Sequence, residues 1–224
     1  EAQLTFVNNE AGGLKNKRIL EAGCGTGNLA RMLARQGADV EGIDLDNEMI
    51  RKAREKSDGM ENVQFRQLDI LHIDDVWPES YFSSIDSFGN TLVHLSGLPD
   101  ITSFFKKVCN LIKAGGQFFF FIFHYDRILD QQIAGLPTIE NEHIRFERNY
   151  DFVENGTRID FRTVLTVKAT GEEIRNVVRL FPIRKEQLAR ALTNAGFYDV
   201  RFQGKFNGGP LNENSVPLIF SART

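Results

Sequence analysis

The sequence contains few cysteines, no excess of positive charge and no apolar run of membrane-spanning length. Two cysteines among 224 residues, Cys24 and Cys109, make neither a disulfide framework nor a spaced zinc cluster, which predicts a cytoplasmic protein without a bound metal. A formal net charge of −3 argues against a nucleic-acid partner. The most apolar run, Phe118 to Phe123, is too short to cross a bilayer, so no membrane partner is expected.

The composition is that of a globular domain. Hydrophobic residues make up 42% and charged residues 25% of the chain, and 224 residues can bury one sizeable core. No signal peptide is recognisable, and what precedes Glu1 is left open.

Predicted strands and helices alternate along most of the chain. Alternation of this kind predicts a parallel sheet with helices on both faces, the α/β class with a Rossmann-like arrangement. After an initial helix that ends near residue 12, the expected strands are 18–22, 39–43, 63–68, 83–88, 117–123, 198–204 and 215–221. The expected helices are 28–36, 47–56, 100–112 and 184–195, with a weaker turn of helix near 73–78.

Residues 126–180 interrupt that alternation. Three strands are expected there, at 142–152, 157–167 and 172–180, and Asn155-Gly156 suits the turn between the first two. We therefore predict a small antiparallel sheet inserted after the fifth core strand, in the position of a substrate lid. The predicted organisation is a single domain with a cofactor-binding core in 1–125, the inserted lid in 126–180 and the end of the core in 181–224.

The first predicted strand runs directly into a loop with three alternating glycines. Residues 18–27 read Arg-Ile-Leu-Glu-Ala-Gly-Cys-Gly-Thr-Gly, and a helix is expected to begin at Asn28. Glycine reaches positive φ and lets a ligand approach the backbone, while the helix start offers unpaired N–H groups. One interpretation is a dinucleotide site, because Gly25 to Ala30 satisfies G-x-G-x-x-A and Asp44 ends the next strand.

The same stretch also resembles the first motif of the class I methyltransferases, which use S-adenosylmethionine. Val40 to Asp46 with Met49 resembles the second strand of that family, and Gln67 to Ile70 resembles the segment that closes over the adenine. The resemblance implies a seven-stranded sheet, S-adenosylmethionine as cofactor and S-adenosylhomocysteine as product. It assigns cofactor contacts to Glu21, Gly23, Gly25, Gly27, Asp44, Leu45, Met49, Asp69, Ile70 and Ser87.

Individual roles follow from the resemblance. Glu21 would face the amino group of the methionine part, and Asp44 would bind both ribose hydroxyls. Leu45 would pack on the adenine face, Asp69 would accept from the adenine amino group, and the backbone N–H of Ile70 would reach the ring. A structural alternative stays open, because Asp44 could cap the next helix and Asp69 could start a turn.

Two further segments resemble the glycine and sarcosine N-methyltransferases, which carry an insertion at this point. Phe88 to Leu95 is similar to the segment after their fourth strand, and Tyr125 to Leu129 to the segment after their fifth. His124 stands where those enzymes have Asn, so their substrate is not carried over. The resemblance implies N- or O-methylation of a small-molecule acceptor.

Methyl transfer from a sulfonium needs chiefly an aligned nucleophile, with a base where the acceptor must lose a proton. The loops after strands four and five are expected to border the methyl group. The predicted catalytic residues are Tyr125, His94 and Asn90, with His124 and Asp126 as further candidates for a base.

The lid is rich in arginine. Arg175 and Arg179 share one face of a strand and would suit an anionic acceptor. The alternative is that the lid arginines pair with the acids of the lid itself on exposed strands.

Two other functions are compatible with parts of the sequence. The chain could bind S-adenosylmethionine as a non-catalytic sensor or partner protein. An NAD-dependent short-chain dehydrogenase is less favoured because no tyrosine is followed by lysine four positions later. Assembly into a homodimer is left open.

Overall fold

The structure is a computed structural model that describes residues 1–224. The chain forms six α-helices and eleven strands, joined in places by short 3-10 helices. The helices are α1 Ala2–Glu10, α2 Asn28–Arg35, α3 Asn47–Lys56, α4 Leu98–Leu111, α5 Tyr125–Asp130 and α6 Lys185–Ala195. The strands are β1 Arg18–Ala22, β2 Asp39–Asp44, β3 Val63–Gln67, β4 Phe82–Ser87, β5 Ile112–Phe123, β6 Gly135–Glu140, β7 Ile144–Val153, β8 Arg158–Val167, β9 Glu172–Leu180, β10 Tyr198–Gln203 and β11 Pro217–Arg223. None of the helices combines the length and the hydropathy that crossing a membrane requires.

Seven strands form the main sheet in the order β10-β11-β5-β4-β1-β2-β3. The strands from β1 to β5 are parallel, and β11 runs antiparallel to both β5 and β10. The predicted seven-stranded α/β fold is therefore confirmed. The chain order reverses between β1 and β4, and in open α/β sheets ligands bind in the crevice at the carboxyl ends of such strands.

Helices cover both faces of this sheet. Successive side chains of a strand point to opposite sides, so an apolar strand such as β5 contributes to the core on each face. Phe118 and Phe120 of β5 belong to the apolar cluster that α4 and α6 cover. Phe119, between them, belongs to the cluster that α1, α2 and α3 cover. The run of phenylalanines that the sequence placed in a central strand thus supplies both cores.

The inserted sheet consists of β6, β7, β8 and β9, all antiparallel. The insertion is confirmed, but three strands were expected and β6 was missed. Gly135 and Pro137 obscure its strand pattern, and Pro is tolerated because β6 is an edge strand. The sheet is anchored to the core by the Phe181 N–H, which donates to the Val93 carbonyl after β4 at 2.8 Å.

Several element boundaries differ from expectation for local reasons. The strand β7 begins at Ile144 and not at 142, because the Asn141 side chain accepts from the backbone N–H of His143 and makes a turn. The strand β5 begins at Ile112 and not at 117, with an irregularity in its pairing to β4. Residues 125–130 form the helix α5, where the lid was expected to begin, and the weak helical turn is the 3-10 helix Ile70–Asp75.

Candidate active site

A cavity of about 920 Å³ lies at the carboxyl ends of the central strands. Its wall is made by the glycine loop and by the loops that follow β2, β3 and β4. The lining residues are Gly23, Gly25, Asp44, Leu45, Asp46, Met49, Leu68, Asp69, Ile70, Leu71, Gly89, Thr91, His94, Leu95, Ser96 and Asp100. The structure therefore brings together most of the residues expected to bind a cofactor, at the point where the strand order reverses.

The three glycines of the loop all have positive φ, but they face different neighbours. A Cβ on Gly25 would have no atom within 4 Å, so this glycine leaves the cavity open. A Cβ on Gly23 would lie 2.2 Å from Thr91 Oγ1, and one on Gly27 would lie 2.5 Å from Cζ of the buried Phe65 ring. Gly27 does not line the cavity, so its role is to let Phe65 pack under the loop.

Asp44 links the end of β2 to the glycine loop. Its Oδ2 accepts from the Gly25 N–H at 2.8 Å, and its Oδ1 accepts from the Asp46 N–H at 3.0 Å. The cap of α3 is Asp46, whose carboxylate accepts from Glu48 and Met49. Asp44 is therefore not the helix cap, and its carboxylate is held by backbone donors at the wall of the cavity.

Apolar side chains form one side of the cavity. Leu45 is 67% exposed and Met49 is 36% exposed, although both are large hydrophobic residues. Ile70 lies nearby, and Asp69 starts the 3-10 helix by accepting from the Leu71 N–H at 2.9 Å. Exposed apolar side chains on the wall of a cavity provide a surface on which a flat apolar ring can pack.

Glu21 and Ser87 lie behind the loop and do not line the cavity. Glu21 is buried and accepts from the Ala30 N–H of α2 at 2.8 Å. Burial raises the pKa of Glu21 to about 8, the Ala30 hydrogen bond opposes the shift, and Asp86 and Asp44 add to it. The Ser87 hydroxyl donates to the Ala22 carbonyl at 2.7 Å, so it joins β4 to β1 instead of contributing to the cavity wall.

Of the three predicted catalytic residues, only His94 lines the cavity. Partial burial lowers the pKa of its imidazole, and Asp44 opposes that shift. The ring is therefore neutral at pH 7 and able to accept a proton.

Tyr125 and Asn90 have structural contacts instead. Tyr125 is fully buried, its hydroxyl accepts from Asn90 Nδ2 at 3.2 Å, and burial raises its pKa. Asn90 Oδ1 accepts from the Phe123 N–H at 3.2 Å. The expectation that Tyr125 touches substrate or cofactor does not match its position, because the pair ties the loop after β4 to the end of β5.

His124 and Asp126 also lie away from the cavity. The buried His124 ring bonds through Nδ1 to the Ser215 carbonyl at 3.2 Å. Asp126 accepts from the Lys185 N–H at 2.8 Å and pairs with Arg184, which fixes α5 to the start of α6. His124 and Asp126 therefore fix the N-terminal end of α5 to the segment before β11 and to the start of α6.

The lining residues that sequence reasoning missed include Thr91, Leu95, Ser96 and Asp100. The Ser96 hydroxyl donates to the Asp100 carboxylate, at the start of α4. Thr91 and Leu95 belong to the segment after β4 that resembles the N-methyltransferases. Their position in that segment could have identified them as lining residues. Ser96 and Asp100 carried no motif.

None of the lid arginines lines the cavity, and Arg145, Arg162, Arg175 and Arg179 pair with acids of the lid, whereas Arg158 donates to the Ser96 carbonyl at 2.9 Å. Arg175 pairs with Glu173, and Arg179 pairs with Glu154 and Asp160. These contacts favour the structural role of the arginines over an anion-binding face.

The comparison with protein families gives one match. Residues 19–116 match the family model described as a methyltransferase domain. This range runs from β1 to the start of β5 and contains every residue that lines the cavity.

Curated relatives match over about half of the chain. A ubiquinone biosynthesis O-methyltransferase of Acinetobacter baylyi is 32% identical over 120 residues, 53% of this chain and 48% of that protein. The enzyme of the same name from Alkalilimnicola ehrlichii is 35% identical over 119 residues, 53% of this chain and 46% of that protein. The chain thus spans about half the length of the curated relatives it matches.

Solved structures match over nearly the whole chain. The CcbJ methyltransferase of Streptomyces caelestis superposes with a TM-score of 0.85 at 21% identity, covering 100% of this chain and 88% of that one. An S-adenosylmethionine-dependent methyltransferase of Clostridium acetobutylicum superposes with a TM-score of 0.84 at 17% identity, covering 99% of this chain and 90% of that one. CalS10 is an amino pentose methyltransferase of Micromonospora echinaspora solved with S-adenosylmethionine bound. It superposes with a TM-score of 0.73 at 20% identity, covering 100% of this chain and 90% of that one. The fold is therefore that of the class I S-adenosylmethionine-dependent methyltransferases, and residues 19–116 match a methyltransferase domain.

Proposed function

We propose that this class I methyltransferase domain with its inserted sheet transfers the methyl group of S-adenosylmethionine to a small-molecule acceptor. The observation that carries the proposal is the pairing of Gly25 with Asp44 at the wall of the cavity. Gly25 has no side chain, which leaves space for a ligand against the backbone. Its N–H donates to the carboxylate of Asp44 and so holds that carboxylate next to this space. Both lie where the strand order reverses.

The residues present fit the cofactor. Each oxygen of Asp44 accepts one backbone N–H and keeps a lone pair for a ribose hydroxyl. Leu45 and Met49 offer the exposed apolar surface for adenine, and Asp69 and Ile70 border the same part of the cavity. When bound, S-adenosylmethionine supplies a methyl group already activated by its sulfonium.

The protein's own contribution is to hold the acceptor and to take its proton. Alignment of a nucleophile about 3 to 3.5 Å from the methyl carbon is the main requirement of such a transfer. His94 is the one imidazole in the wall of the cavity and is neutral at pH 7, so we assign it the role of base for an acceptor that must lose a proton. Tyr125 and Asn90 support the loop that carries it.

The acceptor is proposed only as a small molecule methylated on nitrogen or oxygen. The curated relatives are named as O-methyltransferases and CalS10 as an amino pentose methyltransferase, and these names support the general class. Membership of the glycine and sarcosine group rests on Phe88 to Leu95 and on Tyr125 to Leu129, and it stays a prediction. The proposal does not adopt an anionic acceptor, because Arg175 and Arg179, the two arginines that suggested it, are paired with acids of the lid. Homodimer formation and a cytoplasmic location stay predictions.

The test is an acceptor screen with S-adenosylmethionine labelled in the methyl group. Small amines, alcohols, phenols and carboxylic acids are supplied in pools, and both labelled product and S-adenosylhomocysteine are measured. Stoichiometric formation of the two supports the proposal, and the Asp44→Ala variant is expected to lose the signal. Tight cofactor binding without turnover, together with stable association with another protein, would favour the sensor alternative.

A further inference from the structure

One arginine of the inserted sheet makes a hydrogen bond to the core. Arg158, the first residue of β8, donates from Nη2 to the Ser96 carbonyl at 2.9 Å. Arg158 takes part in no ion pair, whereas Arg162, on the same strand and the same face, pairs with Asp151 inside the sheet. The guanidinium of Arg158 therefore binds the backbone of the segment after β4, and Ser96 of that segment lines the cavity.

Phe181 makes a second contact between the inserted sheet and the same segment. Its ring centre lies 4.9 Å from Cζ of Arg158, within the range of a cation–π interaction. Its backbone N–H donates to the Val93 carbonyl at 2.8 Å. Because Phe181 directly follows β9, the neighbouring ends of β8 and β9 together bind two carbonyls of the segment.

These two carbonyls lie on either side of His94 in the chain. The imidazole of His94 lines the cavity, but it makes no hydrogen bond to another group of the protein, and only burial and the charge of Asp44 act on its pKa. No side-chain partner therefore holds the ring. Its place in the wall of the cavity depends on the backbone of residues 93–96.

That backbone is anchored differently before and after His94. Before it, the side chains of Leu92 and Val93 are fully buried in the core. After it, Ser96 is exposed, and Arg158 is the one side chain that bonds to the Ser96 backbone. Removal of the Arg158 side chain would therefore release the segment beyond His94 and leave its buried anchor in place.

We infer that Arg158 is a positioning residue, which holds His94 in the wall of the cavity from the inserted sheet. The inference rests on the proposed function, in which His94 takes the proton of the acceptor. Arg158 does not line the cavity, so it acts through the segment and does not touch the acceptor or the cofactor. The inserted sheet thus fixes the base through one side chain.

A double-mutant cycle on turnover tests the inference. With S-adenosylmethionine and an acceptor found in the screen, His94→Ala is expected to lower kcat about a hundredfold, as the loss of a general base does. Arg158→Ala is expected to lower kcat about tenfold and to leave the KM of S-adenosylmethionine unchanged, because a displaced base is poorly aligned. The double variant is expected to be no slower than His94→Ala alone.

Two control variants separate positioning from a general loss of structure. Arg162→Ala removes an arginine of the same strand that pairs only within the sheet, and it is expected to keep the wild-type kcat. Arg158→Lys retains a charged donor for the Ser96 carbonyl, so it is expected to recover part of the rate. Losses that multiply in the double variant, or a wild-type kcat in Arg158→Ala when His94→Ala is slow, would overturn the inference.

A measurement on the ligand-free protein keeps the inference separate from the proposed function. Amide hydrogen exchange is followed by NMR at Leu95, whose N–H donates to the Leu92 carbonyl at 3.1 Å. Exchange about tenfold faster in Arg158→Ala, and at the wild-type rate in Arg162→Ala, is expected if Arg158 holds the segment. That result supports the positioning role even if no acceptor is methylated, in which case only the proposed function is wrong. Wild-type exchange in Arg158→Ala refutes the inference whatever the turnover.

Discussion

Substitution by alanine is expected to weaken ligand binding at one glycine of the loop, Gly25, and mainly to lower stability at another, Gly27. Gly25→Ala places a methyl group in open space at the wall of the cavity, whereas Gly27→Ala drives it into the buried Phe65 ring. Phe65 has no room to retreat, since a Cβ on Gly42 would already lie 2.6 Å from the same ring. Gly59, with φ +78° and no atom within 4 Å, serves as the control for backbone strain alone.

The magnitudes follow from these contacts. Alanine at positive φ costs about 1 kcal/mol, which is the whole effect expected on the free energy of unfolding at Gly59 and Gly25. Overpacking a rigid core adds roughly 1 to 3 kcal/mol at Gly27. Affinity for S-adenosylhomocysteine is expected to fall at least about tenfold in Gly25→Ala, or about 1.4 kcal/mol, and to be unchanged in Gly59→Ala.

Urea unfolding of the ligand-free variants and calorimetric titration with S-adenosylhomocysteine measure the two effects separately. The expected order of stability places Gly27→Ala well below the other two variants, which are similar to each other. The reasoning is refuted if Gly27→Ala loses no more stability than Gly59→Ala, or if Gly25→Ala binds as tightly as the wild-type protein.

Three further predictions concern charged residues. Asp44→Asn keeps the shape of the side chain but loses its charge, so S-adenosylhomocysteine affinity measured by calorimetry is expected to fall about tenfold to a hundredfold; an unchanged affinity would remove Asp44 from the site. Because the pKa values of Glu21 and Asp86 are raised to about 8 in the folded state, the stability they contribute is full below about pH 4.5 and is lost as the pH rises to about 8. Urea unfolding of the ligand-free protein is expected to show the free energy of unfolding falling by about 1.4 kcal/mol per pH unit per group in this window, and a rise would contradict the assignment. Arg175→Ala and Arg179→Ala are expected to leave cofactor affinity and turnover unchanged. A loss of turnover with unchanged cofactor affinity would support the hypothesis of an anionic acceptor.

Local patterns were sufficient to predict the order of the core elements. Apolar runs of strand length that alternate with amphipathic stretches of helix length commonly fold into a parallel sheet with crossover helices. Asp44 and Gly25 could be placed together because both follow strands whose carboxyl ends meet at one edge of the sheet. The hairpin at Asn155-Gly156 was predictable because its turn chemistry is local.

Features that depend on distant contacts could not be predicted. Position 27 requires glycine because the Phe65 ring packs against it. That ring is brought under the loop only by the pairing of β2 with β3. Tyr125 follows β5 as the resemblance required, yet its ring turns inward and is fully buried. The neighbouring positions of Glu21 and Asp86 depend on the register of β1 and β4, across 65 residues of sequence.

The central claim is that the cavity beside Gly25 and Asp44 binds S-adenosylmethionine. Parallel calorimetric titrations of the purified protein with S-adenosylmethionine, S-adenosylhomocysteine and NAD test it most directly. We expect the first two to bind at one site per chain with dissociation constants on the order of micromolar, and NAD not to bind. Binding of NAD with no heat from either adenosyl compound would contradict it and point to hydride transfer.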